Sequence, residues 1–168
     1  MNVTPRSRIV ATLVAGLVLL GGVVGLRLVF ESGSTAKTVT LVVDFGNNPG
    51  WDQRIVEVEN FDGTGWDLLE ESGLTVEGTA EYPSAFVCRI EGWPRESVQD
   101  CVNMPTPQSG YWKYFVASAS TGGGWIASGI GAAGHRPECG SAEGWLWVTE
   151  STPANAKPAV DPEVFECK

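Results

Sequence analysis

The sequence predicts an α+β fold: one disulfide-bonded domain behind an N-terminal membrane anchor. Three observations carry that expectation. An uncharged apolar run lies near the start of the chain. Behind it come β-branched and aromatic segments bounded by Gly, Pro and Asn clusters, with one helix signal among them. Four cysteines, an even number, all lie in that second part.

The 168 residues leave room for one ordinary domain. With 43% hydrophobic and 18% charged residues, the chain is too apolar for intrinsic disorder. Its 21 Gly and 10 Pro show no three-residue period, which excludes a collagen-like chain. The net charge of −9 excludes a nucleic-acid partner, because phosphate binding needs a basic stripe. All 20 acidic residues lie at or after Glu31, against 8 basic ones there, a net of −12.

Ile9–Leu26 carries no charge, and extension to Phe30 gives 22 residues. At about 1.5 Å per residue they reach across the hydrocarbon core of a bilayer. Arg6 and Arg8 precede the run and favour an inside N-terminus; Arg27 near the other end can snorkel. Residues 1–8 therefore read as a cytoplasmic tail, 9–30 as a single-pass anchor and 31–37 as a linker. Residues 38–150 read as an extracellular domain and 151–168 as a Pro-rich tail. Cleavage near Ala36 is the competing expectation and would make the product secreted.

Cys88, Cys101, Cys139 and Cys167 allow three pairings. Gly92-Trp93-Pro94 makes a turn between the first two, which favours Cys88–Cys101 and leaves Cys139–Cys167 to pin the tail. A zinc site is not expected, since no Cys-x-x-Cys occurs and His135 is the sole histidine.

Thr38–Phe45 is rich in β-branched residues and reads as a strand; Gly46–Asp52 is a turn cluster; Arg54–Val58 alternates as a second strand. Thr64 with Asp67 three residues on approximates a capping box, and Gly73 stands where a helix C′ glycine belongs. Trp66 and Leu69, with Leu68, would face the core. Leu74–Gly78, Ala85–Ile90, Tyr111–Ala119, Trp125–Ser128 and Gly144–Thr149 read as further strands. One helix on a mostly antiparallel sheet suggests a β-grasp-like domain.

Four segments then carry a resemblance. They are Thr64–Leu69; Phe86–Pro94 with Cys101; Tyr111–Phe115 with its glycine turn, Trp125 and Ser128-Gly129-Ile130; and Glu143–Trp147. In this order the chain resembles the C-terminal β-grasp-like domain of the transcobalamin and intrinsic-factor family, and bacterial cell-surface proteins that carry it. The resemblance spans roughly residues 38–149. It implies an extracellular module that forms part of a clamp on a corrinoid. The large helical domain that completes the clamp in vertebrate members is absent from this sequence.

Candidate chemistry is sparse. Gly129-Ile-Gly131-Ala-Ala-Gly134 matches a dinucleotide fingerprint by letter, but His135-Arg136-Pro137 does not open a helix, so a loop is expected. His135 and Arg136 read as an exposed pair, and the carboxylates as a solvated surface. Asp44, Asn47, Asn48 and Asp52 offer oxygens, without the spacing of an EF-hand. No nucleophile elbow occurs, and the expectation is a non-enzymatic chain without cofactor or metal.

All seven Trp lie after residue 50 and give the best functional hint. Alternation sends Trp112 and Tyr114 to one face and Tyr111 to the other. An exposed set including Tyr111, Trp112, Tyr114, Trp125 and Trp145 would form a platform for a planar ligand or a sugar. A buried set would instead fill a small core. The expected function is a membrane-anchored extracellular binding module for a planar or corrinoid-like small molecule. The alternative is a structural module that docks on another cell-envelope protein.

Overall fold

The computed structural model of the chain describes residues 37–167. The expected anchor over 9–30, the tail before it and most of the linker lie outside the described residues. Among the described residues no helix is long and apolar enough to cross a membrane.

The architecture is a mixed α/β fold with a five-stranded sheet, one α-helix and two disulfides. In chain order the elements are β1 (Val39–Asp44), β2 (Arg54–Val58), α1 (Gly65–Glu71), β3 (Val76–Gly78), β4 (Val87–Ile90), β5 (Tyr111–Ala117), β6 (Ile126–Ala127) and β7 (Ala142–Val148). The large sheet runs β2-β1-β7-β5-β6, and β3 pairs with β4 in a separate ribbon. β1 and β7 are parallel, from Thr40 opposite Ala142 to Asp44 opposite Leu146; every other pair is antiparallel.

Each element follows from local chemistry. β1 is a run of apolar and β-branched side chains, buried at all six positions as expected of a strand covered on both faces. β2 alternates half-buried and exposed residues, as an edge strand does. α1 begins at a reciprocal capping box. Asp67 N–H donates to Thr64 Oγ1 (3.3 Å) and Thr64 N–H donates to Asp67 Oδ2 (2.7 Å). The Asp67 carboxyl is held below its usual value by those bonds to Thr64. The helix ends at Ser72, and Gly73 takes a left-handed φ of +78°.

Cys88–Cys101 and Cys139–Cys167 are both formed, with Cα separations of 5.6 and 5.9 Å, and the other two pairings are excluded. The first closes the segment behind the β3–β4 ribbon. The second ties the end of the chain to the loop entering β7.

The sheet has a core on each face. On one, α1 brings Trp66, Leu68 and Leu69 onto Val39, Leu41, Val43, Trp112, Tyr114, Trp145 and Trp147. On the other, Val42, Phe115, Leu146 and Val148 meet Trp125 and the tail residues Ala156, Val160 and Val164. The Pro-rich segment is therefore more than a tail held by its disulfide. It is an irregular strap laid across the second face, integral to the core. Pro153, Pro158 and Pro162 keep it out of helix and out of a sheet ladder.

Side chains from the sheet hold this strap. Trp125 Nε1–H donates to Val160 O (2.7 Å). Asp44 Oδ2 accepts from Ala159 N–H (2.7 Å) and Gln53 Nε2–H (3.1 Å), while Oδ1 accepts from Gly46 N–H (2.8 Å). Gly144 lets strap and sheet meet: an added Cβ there would lie 2.9 Å from the Trp125 ring and 3.1 Å from Pro158.

Two outcomes follow. Gly144→Ala is expected to cost about 1–3 kcal/mol by overpacking. Gly124→Ala, where an added Cβ meets nothing within 4 Å, should stay within about 0.5 kcal/mol of the native chain. Thermal melts of the two variants read the difference. Asp44→Ala leaves three donors without their acceptor and should expose the strap. Limited proteolysis is then expected to nick residues 150–165 first, while β1 and β7 stay intact.

Candidate functional site

The residues expected to form an aromatic platform are core residues. Trp112, Tyr114, Trp125 and Trp145 are 4–8% exposed, and Tyr111 is half-buried. Alternation does divide them: Trp112, Tyr114 and Trp145 lie in the first core, while Tyr111 and Trp125 pack in the second. They do not share a surface. The physical reason is that both faces of the sheet are covered, so of the five only Tyr111 reaches solvent, and only in part.

The aromatic network reaches the surface elsewhere. Trp51, half-buried in the β1–β2 loop, sits 5.2 Å from Phe45 and 5.6 Å from Trp93, centroid to centroid. Trp93 in turn meets Trp147 edge-on at 6.1 Å, and Trp147 meets Trp112 at 5.5 Å. Trp51 is thus backed by packed rings, which hold its indole in place.

Beside Trp51 lies a cleft of about 630 Å³. Its position follows from the topology. β1 and β7 run parallel, so their carboxyl ends meet at one end of the sheet. From there the chain leaves in two directions, toward β2 through residues 45–53 and onto the strap through residues 149–159. A crevice opens where neighbouring parallel strands send their connections apart. Asp44, Leu146 and Trp147 line it from the strand ends; Asn47, Asn48, Trp51 and Gln53 from the first loop; Thr149, Ser151 and Lys157 from the second segment.

Several of these groups are already fixed. Asp44 accepts three hydrogen bonds, and the Asn48 Nδ2 amide donates to Phe45 O. Thr149 Oγ1 and Ser151 Oγ lie 3.0 Å apart, and Thr149 N–H donates to Thr152 Oγ1 (2.9 Å). The amide oxygens of Asn48 and Gln53 are left as acceptors. Asp44, Asn47, Asn48 and Asp52, whose side-chain oxygens were noted in the sequence without the spacing of a calcium loop, all line this cleft. Trp51 and Trp147 were not singled out for the site, because no local signal says which Trp will end beside an opening.

A second cluster forms on the helix side of the sheet. Glu143, on β7, is fully buried. Tyr114 O–H donates to its Oε2, and His135 Nε2 lies 3.3 Å from its Oε1. Burial pushes Glu143 up to about 9, against a weaker opposing pull from Lys37. Burial also holds His135 below its usual value, with Glu138 opposing. Both shifts favour the neutral forms. Tyr114 O–H supplies a donor to Oε2, while the buried Oε1 has no hydrogen-bond partner and lies nearest to His135 Nε2.

This corrects two expectations. His135 is half-buried against Glu143, while Arg136 stays exposed. Glu143 is no solvated acid. It stands two and four residues before Trp145 and Trp147, on their side of β7, a parity the sequence carried. Asp44 lies on the opposite face of the sheet, so the two buried carboxylates do not converge as a hydrolase pair requires. Gly129–Gly134 ends in a short 3-10 turn, Ala132–Gly134, with no α-helix N-terminus to receive a pyrophosphate. Among the described residues no group of three or more His, Cys, Asp or Glu could hold a metal ion.

No protein-family model matches the chain, and no curated protein matches it.

The buried acid has a measurable consequence. Its proton is kept in the folded state and released by the unfolded chain, so its contribution to stability is lost as pH rises from 4.5 toward about 9. His135 acts in the opposite sense, adding stability as pH rises toward its ordinary value of 6.5. Glu143→Gln keeps an acceptor for Tyr114 and removes the titration. Urea melts across the alkaline part of that window should show a falling stability in the native chain and a flat one in the variant. An unchanged slope in Glu143→Gln would assign the ionisation to another group.

Proposed function

We propose that the chain is a non-enzymatic binding module, anchored in the cell membrane through residues 9–30 with its domain outside, that holds a small molecule in the cleft beside Trp51. One observation carries this reading. A ring-backed, half-buried Trp stands next to an opening of about 630 Å³, within the range of small-molecule sites. The ligand is a compact molecule with one flat face and a polar rim, and the corrinoid-like version is the one the resemblance implies.

The strand order supports the β-grasp-like reading and, through it, the likeness to the transcobalamin and intrinsic-factor domain. Two hairpins flank a central parallel pair, and the helix follows the first hairpin. The β3–β4 ribbon is an insertion relative to that plan. Two disulfides suit a domain outside the cytosol.

A second reading, docking on another cell-envelope protein, is favoured by one feature. Tyr82, Phe86, Val98, Val102 and Met104 all expose apolar surface in the segment around the Cys88–Cys101 bridge, Val102 at 63%.

The two readings separate in a titration of the full-length chain in detergent micelles, followed by intrinsic fluorescence corrected for inner-filter absorption. The probes are cobalamin, haem and cell-wall saccharides. A saturable change with one of them is expected, weakened at least tenfold (about 1.4 kcal/mol) by Trp51→Ala and unaffected by Trp112→Phe. Silence toward every probe would transfer the function to the apolar segment, where Val102→Asp should then abolish capture of a cell-envelope partner.

A further inference from the structure

We propose that the cleft beside Trp51 is a saccharide subsite, in which the indole of Trp51 stacks on the C–H face of a pyranose and the Asn, Gln, Thr and Ser side chains around it hold the ring hydroxyls. The inference rests on the reading of this cleft as the binding site and specifies the ligand class.

The lining chooses among ligand classes. An anion is disfavoured, because residues 31–168 carry a net of −12, and Asp44 and Asp52 line the cleft with Lys157 as its one cation. A metal cation is disfavoured as well, because the Asp44 carboxylate already accepts from Gly46, Gln53 and Ala159. A wholly apolar ligand would bury the amides and hydroxyls without partners, at a cost of about 1–3 kcal/mol for each group. A macrocycle needs a broad aromatic floor, and Trp147, the other ring of the lining, is buried.

A neutral polyhydroxylated ring meets none of these objections. Hydroxyls both donate and accept, and so do the amides and hydroxyls of Asn47, Asn48, Gln53, Thr149 and Ser151. The Asn48 and Gln53 amides donate to Phe45 O and Asp44 Oδ2, which fixes their planes and turns each toward accepting. The Thr149–Ser151 hydroxyl pair is held in a turn closed by Thr152 N–H to Thr149 O (3.0 Å). Of the two indoles in the lining Trp147 is buried and Trp51 half-buried, so one indole offers its face to one sugar ring, and the rings behind Trp51 keep it from swinging away.

The test is isothermal titration of the full-length chain, in a detergent without a sugar headgroup, with chitotriose, maltotriose and mannotriose. One of them is expected to bind saturably. Trp51→Ala should weaken it at least tenfold and Gln53→Ala several-fold, while Trp51→Phe retains most of the affinity. Near-ultraviolet circular dichroism checks that each variant keeps the native packing. Saccharide binding that survives Trp51→Ala overturns the assignment of the site. If no saccharide binds but cobalamin or haem does, with loss on Trp51→Ala, the saccharide inference falls and the binding-module reading stands. If neither class binds, both fall.

Discussion

β7 lies third of five strands, and all seven of its residues are buried. A strand in that position has apolar side chains on both faces, so the sheet is stable only if something covers each side. The chain meets this with two unlike covers. α1 lies on one face, its entry set by a capping box within four residues. A proline-punctuated strap lies on the other, held by a Trp side chain, an Asp side chain and a disulfide. The Trp content follows from this arrangement. A domain of this size must fill two thin cores, and Trp supplies the most buried area for each backbone residue ordered.

The same constraint explains the positions of the two buried carboxyl groups. Asp44 ends β1 on the strap side and serves as an acceptor for three donors, backbone and side chain, from the β1–β2 loop and the strap. Glu143 begins β7 on the helix side and has no such donors beyond Tyr114 O–H, so it keeps its proton. Gly65 makes that contact feasible: a Cβ there would run into Tyr114 Oη. One acid is solvated by N–H groups of the fold, the other neutralised by it. Neither outcome is a property of the residue type.

The cleft is a by-product of the parallel pair. Antiparallel neighbours joined by tight hairpins leave nothing to open at their ends. β1 and β7 end together and their continuations separate, one into a Gly-Asn-Asn-Pro-Gly loop and one into the strap. Loop residues supply the polar lining, and the core supplies the rigid backing of Trp51. The proposed ligand site therefore draws on both cores without exposing either.

What was legible in the sequence is what is decided within about a dozen residues. The helix from Gly65 to Glu71 was readable because Thr64, Asp67 and Gly73 are local signals whose hydrogen bonds close inside one element. The Cys88–Cys101 bridge was readable because a turn stands between its ends. The strands were readable from β-branched and aromatic runs, with no edge off by more than two residues. Burial of the predicted aromatic platform was not readable. It depends on α1 closing over Trp112, Tyr114 and Trp145 on one face, and on Val160 and Val164, some forty to fifty residues after Tyr111–Ala117, closing over Tyr111 and Trp125 on the other. Nor was the role of Trp51, whose neighbours Trp93 and, through it, Trp147 arrive from distant segments. Local hydrogen bonding and alternation determine which elements form; which face meets water is decided only when distant segments pack, because burial belongs to a pair of surfaces and not to one.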